Sequence, residues 1–206
     1  MNRARDVRIA RWLSGISVLE GAAVAVIALA LGLGSGSLSL IGFGLDSAID
    51  ATASVVLVWR FSLESSSVHH GERAEMLAER LIGIVLVISA TALIIGAAHA
   101  LLTHGEAESS TAQIVLLGFS IVVLPPLAFA KRRVADRLES NALRKDALLT
   151  AAGAALALIA LVAGQFGPSF GLWWADAVAS IVIAIVLLRE GWDILRKWQR
   201  EQRPTL

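Results

Sequence analysis

Residues 42–50 read GFGLDSAID and place Asp46 and Asp50 inside a run, residues 38–60, that carries no other charge before Arg60. A predominantly apolar run of roughly 20 residues is the length that crosses a bilayer as a helix. Residues four apart share one helix face, so both carboxylates project from the same side, one turn above the other. Ionisable groups at that depth cost about 3 kcal/mol each on insertion scales and usually mark a substrate, ion or proton path. The stretch therefore reads as a membrane helix with one chemically active face.

Working outward, the 206-residue chain is 56% hydrophobic, in runs longer than soluble core helices require. Six helical spans are expected, at about 11–33, 38–60, 79–102, 112–130, 143–165 and 172–190. The connections GSGS and QFGPSFG are short enough to make their flanking spans antiparallel neighbours. All 18 basic residues fall before the first span, around the second connection, in the fourth connection from Lys131 to Lys145, or after the fifth connection from Arg189 onward. Cytoplasmic segments hold the Lys and Arg excess. The expected fold is thus all-α, a polytopic six-transmembrane-helix bundle with both termini cytoplasmic, one domain over residues 1–206 and no soluble domain. The first run begins after Arg3, Arg5, Arg8 and Arg11 like a signal peptide, but its length and Glu20 mark a retained span.

Several features have structural readings. The segment SLESSSVHHGERAEMLAER should continue as helix beyond the membrane, with His69 and His70 on different sides of it and poorly placed to share a metal. None of the four histidines reaches mid-membrane; His99 and His104 lie near the outer surface. Pro125 and Pro126 should bend the fourth span, because they lack amide donors. Trp173 and Trp174 suit an outer interfacial belt, and Trp12, Trp59, Trp192 and Trp198 an inner one. Clustered small residues, Gly32 to Gly44 and Ala151 to Ala155, permit close helix approach. Cysteine is absent, which removes thiolate metal sites and disulfides. An enzyme is not expected, since the chain has no HExxH motif, no phosphate-binding glycine loop and no embedded nucleophile with a base. Topology accounts for the basic residues, so nucleic acid is not indicated.

Glu20 falls at a depth comparable to Asp46 and Asp50 on the neighbouring first span, and Asp146 about one turn into the fifth. No lysine or arginine is expected at mid-membrane depth, so protons or a mobile cation must neutralise these acids. Like charges at short range raise one another's pKa; an empty site then takes up protons and a filled one releases them. The competing reading is structural, with Asp46 and Asp50 protonated and hydrogen-bonded to partners such as Ser47, Thr52 and Ser54. Asp176 reads as a helix-start carboxylate that complements the helix dipole.

The run GFGLDSAIDATASVVLVWRF resembles the second span of the cation diffusion facilitator family, which carries Asp-x-x-x-Asp there. VLEG, LPPLAFAKRR, SNALRKDALLT and WWADAVASIVIAIVLLREGW resemble further segments in the same order, so the resemblance covers nearly the whole chain. It is closest to a short branch lacking the C-terminal cytoplasmic domain, which includes bacterial members. The resemblance implies export of a divalent cation in exchange for protons, with metal held between spans two and five by Asp46, Asp50 and Asp146; Glu20, read from its depth, is a further candidate oxygen donor. It also implies residence in the bacterial inner membrane. Zinc is the implied ion, with manganese, cobalt or iron open, and no cofactor beyond the cargo is expected.

Two departures from the family pattern stand out. The positions that would carry the remaining span-five ligands are Leu149 and Gly153, and the chain ends in a short basic tail where a dimerising domain would follow. A homodimer through the spans stays open. An oxygen-only donor set suits manganese, magnesium or calcium better than zinc, which favours nitrogen and sulfur. Two further functions remain: proton-coupled transport of another cationic substrate, and a non-transporting, metal-binding membrane modulator.

Overall fold

The structure is a computed structural model that describes residues 3–63, 69–103 and 110–201. It contains six helices and, among the described residues, no strand: α1 Arg3–Ser35, α2 Leu38–Leu63, α3 His69–Thr103, α4 Thr111–Leu138, α5 Asn141–Ser169 and α6 Ala175–Glu201. The helical extension expected after the second span is present from His69 onward. His104 and the last residues of the tail lie outside the described residues.

Five helices contain stretches long and apolar enough to cross a membrane, beginning at Arg5, Leu38, Leu86, Thr111 and Ala142. The sixth, α6, has an apolar first half and then Arg189, Glu190, Asp193 and Arg196. Large apolar side chains such as Leu19, Val26, Ile88, Ile95, Val122 and Ile185 point outward and are exposed. In water such a surface would aggregate, whereas in acyl chains it is matched. The chain is a polytopic helical membrane protein. Trp12, Trp59, Trp174 and Trp192 are also outward-facing, as interfacial tryptophans are.

Local sequence explains the tight turns. Gly36 has φ of 71° between α1 and α2, a left-handed conformation that glycine adopts without steric cost. Between α4 and α5 only Glu139 and Ser140 lie outside helix, so the fourth connection is shorter than the loop expected there. Glu139 takes the left-handed C-cap conformation, and the Ser140 hydroxyl accepts from the Leu143 amide at 3.4 Å; stop and start signals thus adjoin. Pro125 and Pro126 sit inside an unbroken α4.

α1 packs chiefly on α2, α4 on α5, and α3 on α6, while α2 touches α3, α5 and α6 as well. Small residues set these approaches. An added Cβ at Gly21 would lie 3.0 Å from the Ser47 carbonyl oxygen and 3.1 Å from the Ala51 Cβ, which seats α1 on α2 at the level of Asp46 and Asp50. At the α3–α6 crossing, a Cβ on Gly191 would lie 2.8 Å from the Leu86 Cβ and 2.9 Å from the Gly83 carbonyl oxygen.

Two apolar clusters lie at different heights. The larger draws on all six helices and includes Val24, Phe43, Leu93, Leu117, Leu156 and Ile183. The smaller joins Ala10, Leu57, Phe61, Val134, Ala135 and Leu143 from α1, α2, α4 and α5. Asp50 on α2, Lys131 on α4 and Asp146 on α5 fall between the two clusters along their helices.

Asp176 has a role beyond starting its own helix. Its carboxylate accepts from the Leu38 amide at 2.8 Å and the Ser37 hydroxyl at 2.7 Å, and from the Ser39 amide and hydroxyl. It therefore caps the N-terminus of α2 from α6, satisfying donors that the helix itself leaves free. The carboxylate side chain thereby ties two helices together.

The glycine crossing yields a direct comparison. Gly191→Ala should lower stability by about 1–3 kcal/mol, because backbone and a branched side chain have to yield. Gly15→Ala makes the same chemical change where nothing lies within 4 Å and should gain up to about 1 kcal/mol in helix propensity. Thermal unfolding of both variants in detergent checks the opposite signs.

Candidate cation site

α2 and α5 run antiparallel with a simple register. Asp46 of α2 faces Gly153 of α5, where an added Cβ would lie 3.4 Å from Asp46 Oδ2. One turn on, the Thr150 hydroxyl lies 3.3 Å from both oxygens of Asp50. A further turn on, the Ser54 hydroxyl donates to Asp146 Oδ1 at 3.0 Å. Gly153 keeps α5 slim where it passes Asp46, as the small-residue pattern anticipates.

Asp46 and Asp50 are only 6% and 7% exposed, and no described residue donates a hydrogen bond to Asp46. Ser47 and Thr52, the local partners considered for them, instead donate back to the Phe43 and Ala48 carbonyls of their own helix, at 2.9 and 2.8 Å. The pair is therefore not locked by neighbours on α2.

The sequence reading placed Lys131 in a cytoplasmic loop and expected no basic residue at depth; the structure corrects this. α4 continues to Leu138, and Lys131 lies on its inward face, 0% exposed, with Nζ 2.6 Å from Asp146 Oδ2. The ammonium also donates to the Thr150 hydroxyl at 2.9 Å and, more weakly, to Ser54 at 3.4 Å. Its neighbours Arg132 and Arg133 are exposed, so helical phase alone separates Lys131 from the surface charges beside it. With Lys131 on one carboxylate oxygen and Ser54 on the other, Asp146 is held in a buried ion pair.

Glu20 lies on α1 beside Gly21, hence at the level of Asp46 and Asp50, with one buried carboxylate oxygen lacking a hydrogen bond. Its charge is felt at Asp50, as are those of Lys131 and Asp146. Among the described residues no group of three or more Asp, Glu or His side chains is gathered into a ready-made metal cage. The four acids singled out from sequence thus share one layer without converging on one point: Asp46 and Asp50 stand together, Glu20 is an electrostatic neighbour, and Asp146 is engaged by Lys131.

The sequence reading also missed Thr150, which has no unusual spacing to single it out. Lys131 stood inside a basic run, and only the helical phase of an α4 longer than the expected span turns it inward. At the end of the bundle that carries the basic residues, Arg144 meets Asp136 at 2.8 Å and Arg137 approaches Asp6 at 3.8 Å. These exposed or partly exposed pairs are of the kind that contributes little.

The chain also matches known proteins in sequence. Residues 16–200 match the cation efflux transmembrane domain, and the chain belongs to the cation efflux family, a family of metal cation transporters. It is similar to transmembrane protein 163 of Xenopus laevis, 24% identical over 197 residues that cover 95% of this chain and 69% of that protein.

The buried pair can be dissected by a double-mutant cycle. Removing one member of a buried ion pair strands the other, so Lys131→Met and Asp146→Asn should each cost about 3–5 kcal/mol. The double variant should recover most of that loss in thermal unfolding; additive losses would contradict a direct interaction.

Proposed function

We propose that the protein exchanges a divalent cation for protons at Asp46 and Asp50. What carries this reading is that two almost fully buried carboxylates stand one turn apart on α2, with a single hydroxyl, that of Thr150, as the hydrogen-bond partner seen for them. A carboxylate in an apolar bundle requires a counter-charge. For a pair that no fixed cation engages directly, a mobile cation and protons supply it alternately.

Asp46 and Asp50 are the proposed primary ligands, and Thr150 lies within reach as a neutral oxygen. Glu20, at the same level on α1, is the proposed further oxygen donor. Asp146, a ligand by resemblance, acts through Lys131 while their ion pair persists. Water would complete an all-oxygen shell. Such a set binds zinc as a family cargo, yet favours manganese relative to a site containing histidine. By resemblance the cation leaves the cytoplasm of a bacterial cell while protons enter. The mechanism needs only that the carboxylates lose protons on loading and regain them on release. Acidifying the loading side therefore weakens binding, by up to about tenfold per pH unit for each proton displaced.

The test is cation uptake into proteoliposomes loaded with a pH-sensitive dye, comparing zinc, manganese, cobalt and magnesium. Wild-type protein should move at least one of these with opposed proton flux. Asp50→Asn and Asp46→Asn, near-isosteric and uncharged, should each reduce uptake by about a hundredfold or more, the loss of a primary ligand being at least as severe as that of a supporting group. Undiminished uptake by the folded double variant would remove Asp46 and Asp50 as the site.

A further inference from the structure

Lys131 is not needed to explain cation binding, and a buried ammonium is costly. If its purpose were only to join α4 to α5, an apolar contact would do so at lower cost. Its surroundings suggest a different role. The ammonium touches Asp146 directly at 2.6 Å, and it is separated from Asp50 by one hydroxyl, with legs of 2.9 Å from Nζ to Thr150 Oγ1 and 3.3 Å from Thr150 Oγ1 to Asp50. Because Thr150 accepts from Lys131, its own proton is available to Asp50 or to the Asp146 carbonyl at 3.0 Å. The layer holds four carboxylates, Glu20, Asp46, Asp50 and Asp146, against this one ammonium, so negative charge remains for a dication after Lys131 is counted.

We propose that Lys131 is a tethered counter-cation that competes with the transported ion. Its fixed positive charge, held toward Asp146, partly neutralises Asp50 when the site is empty and repels the dication when it is full. It thereby keeps affinity low enough for release. Asp146 is then a positioning residue that draws the ammonium away from Asp50. Lysine carries a compact point charge on a flexible four-carbon stem, and the Thr150 hydroxyl links that charge to Asp50. This inference rests on the proposed cation function and adds to it the residue that sets the affinity.

The two members of the ion pair should consequently shift affinity in opposite directions, which a merely structural pair cannot do. Isothermal titration of detergent-purified wild type, Lys131→Met, Asp146→Asn, the double variant and Asp50→Asn with zinc and manganese salts reads this directly. Lys131→Met should bind about tenfold or more tightly, since a unit charge within a few ångströms is removed. Asp146→Asn should bind about tenfold more weakly, as the freed ammonium turns to Asp50. If Lys131→Met does not fold, the double variant, which strands no charge, carries the test and should bind at least as tightly as wild type. Affinities that fall in both single variants, or a double variant weaker than wild type, overturn the role of Lys131 while leaving the cation site intact. Absence of binding in wild type and Lys131→Met alike, with cooperative unfolding retained, instead overturns the cation function itself.

Discussion

A charge inside an apolar helix bundle persists only where another charge or a set of hydrogen bonds compensates it. The Lys131–Asp146 pair is where this protein meets that constraint within its own chain, and much of the interior is arranged around it. Three helices converge there. α4 supplies the ammonium, α5 supplies Asp146 and Thr150, and α2 supplies Ser54. The same contacts set the register that brings Gly153 opposite Asp46 and Thr150 opposite Asp50. A slip of one residue would turn Lys131 or Asp146 toward lipid, so the ion pair acts as a register pin as well as a source of charge.

Packing provides the frame for this polar layer. The clusters around Phe43 and Leu117 on one side, and Leu57 and Val134 on the other, leave Asp50, Lys131 and Asp146 between two apolar zones, where electrostatic interactions are least screened. Hydrophobic burial does not by itself drive one helix onto another in lipid, so close approach at small residues supplies much of the association. Gly21 of α1 against α2 and Gly191 of α6 against α3 show it in two places. Asp176 adds a directed polar tie by capping α2 from α6 at the end remote from Lys131.

The reading from residues succeeded where helical periodicity and span length carry the information. Asp46 and Asp50 are four apart, so any α2 places them on one face; Glu20 is set at their level by a turn only a few residues long. The turn near Gly36 follows from a short, glycine-rich connection. It failed at Lys131 because a basic residue at the edge of a basic run looks like a topology signal. Whether it faces water or protein depends on how far α4 continues and at what phase, and both are settled by contacts with α2 and α5. Asp176 was legible as a helix-start acid, but its partner, the N-terminus of α2, is 138 residues away in sequence.

What the sequence determined by itself was the number of helices, their membrane-spanning character, and the placement of two carboxylates on one helical face, since these depend on local spacing and on the length an apolar run needs to cross a bilayer. Only the tertiary structure decided which charges meet: that Asp146 is bound by Lys131, and that Asp50 shares a threonine hydroxyl with that same ammonium. The reason is physical. Coulombic and hydrogen-bond partners are chosen by distance in space, and residues 54, 131 and 146 come within reach of one another only after three helices have packed in one register.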